Sequence, residues 1–472
     1  MNDPPNDNAA GPAEDVAVLD AGTAEAPELD EARIGRILDA VEARDATTVA
    51  AELEPLHAAD IAGLLEQISG QQRRALLSLY AVEIDGDILS ELDESIREEV
   101  IEALPRAVLA EAVRELETDD VVDLLEDLEK SDRAFILDAL ESDDRAAVES
   151  AMAWPEYSAG RLMQSETVTV PQDWTVGQTI DHLRGIDWLP DQFYHVILVD
   201  ARHRPTGHVT LGRVLSSRRD VAMAEITEEE FRTVEATEPE AEVAYMFNKY
   251  HLISTPVVDT AGRLVGVITI DDAMTVLDEE HEEDILRLSG VVMEASVTDN
   301  ALTTARLRLP WLVVNLFTAS LSAIVITQFE ATIEALVVLA ALMPIVASTG
   351  GIAGTQSLAV AVRSLATRSL TSANARRVVW RELGAGMLNG AGLAVILGLG
   401  GWLIFGDLWL GLVLGMAMIC NQIVAALGGV LVPLGLNRLG LDPALASGTF
   451  VTTLTDVMGF FAFLGFATIF LL

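Results

Sequence analysis

One carboxylate stands inside a long apolar run near the end of the chain. Asp456 lies in the segment TFVTTLTDVMGFF, seven residues after Thr449 and sixteen residues before Leu472. An ionised carboxylate at membrane depth is costly, so it is typical of a cation site or a proton relay that faces a cavity. The alternative is a side chain near a helix end that reaches the interface or pairs with an arginine. The depth of Asp456 in the run favours the cation site.

A second apolar run carries the sequence PIVASTGGIAGTQSLAVAV, which begins at Pro344. We expect Gly350, Gly351 and Gly354 to weaken a helix here and Pro344 to interrupt it. Irregular backbone at membrane depth is tolerated where it lines a cavity, and its freed carbonyl groups can then coordinate a cation. Small residues can instead simply allow close helix packing. Together with Asp456, the glycines favour a pore.

A third group of acidic side chains lies directly before the first apolar run. Its members are Asp271, Asp272, Asp278, Glu279, Glu280, Glu282, Glu283 and Asp284, with His281 among them. Charges this close repel one another, and a divalent cation would relieve the repulsion. Most charge runs are simply solvated helix faces. The position of this one, between the soluble half and the first span, favours a role in gating.

The side chains available as metal ligands indicate which cations the chain could bind. All seven histidines precede residue 282, and the single Cys420 lies in an apolar run, so soft-metal ligands are absent from the pore candidates. Oxygen ligands suit hard cations, which leaves Mg²⁺, Mn²⁺ and Ca²⁺ open. The segment HEEDI at His281 lacks the second histidine of a zinc-protease motif. We therefore expect no enzyme activity.

The net charge is confined to the first part of the chain. The formal charge is −43, yet from Pro310 onward six acidic residues are balanced by six arginines. Such an acidic soluble half repels nucleic acid and attracts cations, so we expect no nucleic-acid partner. A general bias for solubility or salt tolerance would also produce this excess.

Five apolar runs are each long enough to cross a bilayer as a helix. They cover residues 310–329, 335–361, 383–405, 408–436 and 446–472. The link after the second run holds five arginines and the link after the fourth holds Arg438, whereas the other two links hold only acidic charges. By the positive-inside rule, the N-terminal half is cytoplasmic and the C-terminus lies outside.

The soluble half changes character along its length. Residues 1–28 have little apolar content and predict a disordered tail. Helical spacing follows, and HAADIAGLLEQI at His57 resembles ETDDVVDLLEDL at Glu117, which indicates stacked helical hairpins with a shared leucine stripe. After Tyr157, short alternating runs such as HVILVD at His195 and GRLVGVITIDD at Gly262 predict two tandem β-α-β units.

These segments together resemble the MgtE family of magnesium channels. The resemblance rests on MAWPEYSAGRLM at Met152, GVITIDD at Gly266, STGGIAGTQS at Ser348 and VTTLTDVMGF at Val451. It implies a multidomain membrane protein with an all-α superhelical N domain, an α/β pair of cystathionine-synthase-type (CBS) domains, a plug helix and five membrane helices. The implied limits are 1–28 for the tail, 29–155 for the N domain, 156–277 for the CBS pair, 278–308 for the plug helix and 309–472 for the membrane domain.

The resemblance also implies a pore and a nucleotide site. Asp456 would hold hydrated Mg²⁺, with Gly351 and Thr355 at the matching pore-lining positions, whereas Ile352 stands where the family usually has asparagine. Thr269 and Asp272 match the polar positions with which CBS domains hold a ribose, so ATP is an implied ligand. In the first CBS repeat, Arg213 replaces the corresponding aspartate.

Finally, the resemblance implies a gate and an assembly. Family members are homodimers in the prokaryotic plasma (inner) membrane, surrounded by lipid, and cytosolic Mg²⁺ bridges their acidic domains and closes the pore. The matching regulatory residues are Asp272, Glu280, Glu283, Asp284 and Asp442, with Asp120 and Asp123 as looser matches in the N domain. Two alternatives stay open: a channel or ion-coupled carrier for Mn²⁺, Co²⁺ or Ca²⁺, and a non-conducting membrane-anchored sensor of Mg²⁺ or nucleotide.

Overall fold

A computed structural model of the chain describes residues 29–126, 128, 130–186, 189–190, 193–288, 301–446 and 448–472. The chain divides into two compact units, Met1–Ala273 and Met274–Leu472. The predicted disordered tail, residues 1–28, lies outside the described residues.

The first unit begins with short helices that match the predicted helical domain. They are α1 (Glu31–Ala43), α2 (Ala46–Leu53), α3 (Ala58–Gln67), α4 (Gly70–Tyr80), α5 (Gly86–Ser90), α6 (Glu94–Ala103), α7 (Arg106–Glu115), α8 (Thr118–Glu126), α9 (Lys130–Ala139) and α10 (Ser142–Ala151). Aspartates such as Asp45 and Asp85 accept a hydrogen bond from the first turn of the helix that follows them. The repeated leucines, Leu64 and Leu65 in α3 and Leu124 and Leu125 in α8, are buried in one core.

Two small sheets with the same topology follow the helical domain. The elements are α11 (Ala159–Leu162), β1 (Thr169–Pro171), α12 (Val176–Leu183), β2 (His195–Val199), β3 (Pro205–Thr210), α13 (Leu211–Ser216), β4 (Val234–Glu235), α14 (Glu240–Tyr250), β5 (Ser254–Val258) and β6 (Leu264–Thr269). In each sheet the first strand is parallel to the second, and the second is antiparallel to the third. The predicted tandem repeat is confirmed, and Ile197, Val199, Leu264 and Val267 form a buried cluster between the sheets.

A long helix, α15 (Ile270–Leu288), follows β6 without a loop. The predicted plug helix of 278–308 therefore has its first part inside a helix that already begins at Ile270. Residues 289–300 of that prediction lie outside the described residues, and the chain from Ala301 belongs to the next helix.

The second unit contains helices that suit a membrane. They are α16 (Ala301–Gln328), α17 (Glu330–Ala335), α18 (Val338–Ala366), α19 (Ala375–Phe405), α20 (Leu408–Arg438) and α21 (Gly448–Phe470). Apart from α17, these helices are long and apolar enough to span a bilayer, so the described residues contain the five predicted spans. Helices α16 and α19 begin earlier than predicted because they continue through arginines, such as Arg306 and Arg377, that an apolar run excludes.

Helix α18 corrects one prediction from the sequence. It runs unbroken from Val338 to Ala366 through Pro344 and all three glycines, so the expected interruption is wrong. The glycines serve close packing instead. A Cβ at Gly350 would lie 2.1 Å from the Asn421 side chain, and a Cβ at Gly354 would lie 2.6 Å from Val451. Contact with α20 and α21 offsets the low helix propensity of these residues.

Candidate functional site

Asp456 lies in the N-terminal half of α21 and is half-buried. Among the described residues, its carboxylate makes no hydrogen bond and no ion pair. The alternative in which Asp456 pairs with an arginine therefore finds no support in the described part of the chain. An unpaired carboxylate in a membrane helix retains its full capacity to attract a cation.

The surface beside Asp456 is built by α18. Gly351 faces Thr452, since a Cβ at Gly351 would lie 3.3 Å from the Thr452 methyl group. Thr452 is one helical turn before Asp456, so both lie on the same side of α21. Thr355 lies against the start of α21, with its methyl group 3.3 Å from the Cβ position of Gly448. Gly351 and Thr355 therefore stand beside the helix that carries Asp456.

Hydroxyl groups give this surface its polar character. Thr355 donates to the Ile352 carbonyl at 2.9 Å, and Thr452 donates to the Gly448 carbonyl at 2.7 Å. Each hydroxyl proton is thus used within its own helix, and the oxygen lone pairs remain available to a hydrated cation. The side chain of Ile352 is 58% exposed, so an apolar group occupies the position next to Gly351.

Two amides that the sequence analysis did not select hold α18 against α20. Asn421 is fully buried and its Nδ2 donates to the Val346 carbonyl at 2.8 Å, while Gln422 Nε2 donates to the Thr349 carbonyl at 3.3 Å. The signal was available, because adjacent amide side chains are unusual inside an apolar run. Their role is to position Gly350, Gly351 and Gly354, which we call the glycine face of α18, beside α21.

A second group of predicted residues converges on Arg287, in the part of α15 that belongs to the second unit. Arg287 Nη1 donates to Asp442 Oδ2 at 2.5 Å, and Nη2 forms an ion pair with Glu283. Glu280 and Asp284 also lie within the electrostatic reach of this pair. The structure therefore brings Glu280, Glu283, Asp284 and Asp442 together around one arginine that the sequence analysis missed.

The charges in this group are unbalanced. Burial is the largest cause that raises the pKa of Glu280, Glu283 and Asp284, and the charge of Asp442 raises each of them further. Arg287 lowers the same pKa values but supplies only one positive charge. The group would therefore be stabilised by an additional cation.

A third group forms inside the first unit, where α8 meets the start of α15. Thr269 donates its hydroxyl proton to Asp272 Oδ2 at 2.7 Å, so the two predicted ribose-binding residues contact each other. Burial raises the pKa of Asp272 to about 6 and that of Asp120 to about 7, and the charge of Asp272 is the next cause for Asp120. Asp119 is 8% exposed, and burial followed by the charge of Asp272 raises its pKa well above the ordinary value.

Helix α8 carries two further acids, of which Asp123 was predicted and Asp119 was not. Asp123 is 58% exposed and pairs with Arg97 at 2.9 Å, which gives it a structural partner. Asp119, which was not predicted, is the more buried acid. Its signal was a departure from the internal repeat, since Asp119 occupies the position that Ala59 holds in the first copy.

Neither acidic group is arranged to bind a metal ion that has lost its water ligands. Within the described ranges, no three acidic, histidine or cysteine side chains converge closely enough to ligate one metal ion directly. Mg²⁺ dehydrates reluctantly and usually keeps several waters. The oxygen ligands available in these groups are carboxylates and the Thr269 hydroxyl, which fit a hydrated Mg²⁺ ion held through its water shell.

Three stretches of the chain match known protein families. Residues 343–466 match the MgtE family of divalent cation transporters, residues 56–157 match the MgtE intracellular N domain, and residues 223–279 match the CBS domain. A crystal structure of the cytosolic domain of the Mg²⁺ channel MgtE in complex with ATP has a sequence 29% identical to this chain. The alignment covers 52% of this chain and 99% of the chain in that structure, with a TM-score of 0.48.

Curated relatives extend across much of the chain. The magnesium transporter MgtE of Thermus thermophilus is 35% identical over 328 residues, which cover 69% of this chain and 72% of the relative. The magnesium transporter MgtE of Enterococcus faecalis is 33% identical over 326 residues, which cover 69% of this chain and 71% of that relative. These relatives are transporters and not enzymes, which confirms the expectation of a non-enzymatic protein. The chain belongs to the MgtE family.

Proposed function

We propose that the chain is a homodimeric channel that conducts Mg²⁺ through the membrane and closes when cytosolic Mg²⁺ binds its acidic groups. The observation that carries the proposal is the carboxylate of Asp456, unpaired among the described residues and placed in a membrane helix beside the glycine face of α18. A carboxylate flanked by threonine hydroxyl oxygens can bind the water shell of Mg²⁺ and release it again.

The relatives support magnesium as the ion, since those from T. thermophilus and E. faecalis are magnesium transporters. The arginines of the link 367–374 and of its flanking helix ends favour a cytoplasmic N-terminal half and an external C-terminus in a prokaryotic plasma membrane. Thr269 and Asp272 are the proposed ribose contacts for ATP, in line with the ATP bound to the similar cytosolic domain.

The gate rests on electrostatic repulsion. Without Mg²⁺, the carboxylates of Glu280, Glu283, Asp284 and Asp442 repel one another around a single arginine. Bound Mg²⁺ would screen this repulsion and favour the compact, closed state, which links ion binding in the soluble half to conduction. The group at Asp120 and Asp272 would act in the same way, with Asp123 at its exposed edge.

Uptake by an Asp456→Asn variant tests the pore. The variant keeps the shape of the side chain and removes its charge, so we expect Mg²⁺ uptake to fall by at least about tenfold if the carboxylate binds the permeant ion. Glu334→Gln is the matched control, because it removes one exposed carboxylate from the short helix α17. Unchanged uptake by Asp456→Asn would refute the assignment of Asp456 to the pore.

A separate triple variant tests the gate. Glu280→Gln, Glu283→Gln and Asp284→Asn together should keep flux high at millimolar cytosolic Mg²⁺, because the charges that bind the inhibitory ion are gone. Asp278→Asn combined with Glu282→Gln neutralises two exposed acids of the same helix and should retain inhibition. Normal inhibition of the triple variant would eliminate this gate.

The side chain of Ile352 favours a second candidate function, a channel that also conducts divalent cations other than Mg²⁺. Ile352 exposes 58% of its surface on α18 next to Gly351, at a position where a polar group would contact the water shell of a passing ion. An apolar residue there weakens the selection of hydrated Mg²⁺ over Mn²⁺, Co²⁺ or Ca²⁺. Competition of each ion with Mg²⁺ uptake measures this selection directly.

A further inference from the structure

A cavity of about 360 Å³ opens at the arginine-rich ends of α18 and α19, and neither Asp456 nor Asp442 is among its lining residues. Its polar lining consists of Ser364, Ser369, Asn374, Arg377, Arg381 and Glu382. The rest of its wall is formed by aliphatic side chains of α18, α19, α20 and the loop that joins α18 to α19. The cavity therefore offers both polar and apolar contacts.

The loop between α18 and α19 is held in place by its own contacts, so the cavity is preformed. Leu370 is 4% exposed and its amide donates to the Ser364 carbonyl at 2.7 Å. Asn374 accepts a hydrogen bond from the Thr371 amide at 2.8 Å and donates to the Ser369 carbonyl at 2.7 Å. A ligand would therefore bind without ordering this loop.

The charges that line the cavity leave one positive charge in excess. Arg381 donates two hydrogen bonds to Glu382 Oε1, at 2.8 and 3.3 Å, and these two charges balance. The guanidinium group of Arg377 has no ion-pair partner among the described residues, and the hydroxyl of Ser364 makes no hydrogen bond there. The cavity therefore complements a single negative charge and offers two free donors to its oxygens.

The surroundings of the cavity suit a lipid more than a soluble anion. Val360, on the cavity wall, is 50% exposed, and Trp380, one residue before Arg381, is 66% exposed on α19. Tryptophan is enriched where a membrane helix crosses the headgroup region, and basic pockets between membrane helices bind anionic headgroups. We propose that this cavity binds the phosphodiester group of an anionic phospholipid, with Arg377 and Ser364 as donors and the acyl chains along the outside of α18 and α19.

Lipid binding to the full-length protein tests the proposal. The detergent-solubilised chain is titrated with phosphatidylglycerol, and bound lipid is counted by native mass spectrometry. Arg377→Gln should weaken the highest-affinity binding by about fivefold, as expected for the loss of one basic contact at the membrane surface. Arg377→Lys should retain most of the affinity. Arg376→Gln is the matched control, because Arg376 is exposed on the same turn and does not line the cavity.

Two further arms separate the possible outcomes. Inorganic phosphate in excess should leave phosphatidylglycerol binding unchanged, and full displacement by phosphate would show a soluble-anion site and overturn the proposal. Equal losses in Arg376→Gln and Arg377→Gln would also overturn it, since they would indicate a general charge effect. The unfolding midpoint of each variant in lipid-free detergent serves as the folding control, and binding is compared only among variants that share the wild-type midpoint.

Discussion

Replacing Asp120 by asparagine removes one charge from a crowded and poorly solvated group of carboxylates. Burial is the largest cause that raises the pKa of Asp120 from 3.8 to about 7, and the charges of Asp272, Glu117 and Asp123 raise it further. Between pH 3.8 and about 7, Asp120 therefore keeps its proton in the folded state, whereas it has lost that proton in the unfolded state. We expect Asp120→Asn to stabilise the first unit in the absence of divalent cations.

The size and the sign of this effect follow from the two pKa values. The protonated group carries no penalty below pH 3.8, stability falls as the pH rises toward about 7, and the full cost persists above that value. A pKa difference of about three corresponds to about 4 kcal/mol. Because Asp272 and Asp119 titrate together with Asp120, part of the cost is shared, and we expect the variant to recover about 2 kcal/mol.

Hydrogen exchange of the full-length protein measures this effect locally. At about pH 8 without divalent cations, amides of α8 should exchange more slowly in Asp120→Asn than in the wild type, by about thirtyfold for 2 kcal/mol. At about pH 4 the difference should largely vanish, because this pH lies close to the unfolded-state pKa of 3.8 and the ionisation of Asp120 then costs little in either state. Saturating Mg²⁺ should protect α8 in the wild type more than in the variant, since the wild type has more repulsion to relieve.

The matched control is Asp123→Asn in the same helix. Asp123 is 58% exposed and pairs with Arg97, so its replacement removes a favourable contact and should give no stabilisation. Faster exchange of α8 in Asp120→Asn than in the wild type at about pH 8, or an equal gain at both pH values, would refute the electrostatic argument.

Three other variants test separate parts of the second unit. Gly350→Ala places a methyl group 2.1 Å from the Asn421 side chain and should destabilise the protein by about 1–3 kcal/mol. Gly384→Ala, with nothing within 4 Å of the added methyl group, should leave the unfolding midpoint unchanged or raise it slightly, because alanine favours the helix. Ile352→Asn should fold normally, because the side chain is 58% exposed, and should raise uptake of Mg²⁺ relative to Ca²⁺ in isotope competition. Arg287→Gln should increase proteolysis of α15 without Mg²⁺ and enlarge the protection that Mg²⁺ gives, since the acidic group loses its cation; unchanged proteolysis would contradict that role.

Much of the fold could be predicted because its signals are local. Apolar length identified the five spans, alternation identified the two sheets, and the sequence repeat identified the leucine core that contains Leu64 and Leu124. Each of these patterns depends on residues within a few turns or strands of one another. The starts of α16 and α19 were missed for the same reason, because a helix can begin among arginines before its apolar run starts.

The parts that could not be predicted depend on distant partners. Local propensity made Gly350 a helix breaker, but Asn421, seventy-one residues later, packs on it and stabilises the helix. No local pattern marks Arg287 in the sequence. Its role depends on the fold, which places it beside Asp442, 155 residues away. The positions of the predicted site residues relative to one another likewise follow from the fold and not from their spacing in the chain.

The glycine face of α18 has a mechanical consequence. Gly350 packs against the Asn421 side chain of α20, Gly354 against Val451 of α21, and Gly429 of α20 against the Gly354 carbonyl, so these three helices resist bending or sliding past one another. In the proposed channel, a motion that changes the width of the conduction path would therefore carry the three helices together. Helix α16, whose apolar segment is only 6% buried, takes no part in this glycine packing and is less constrained.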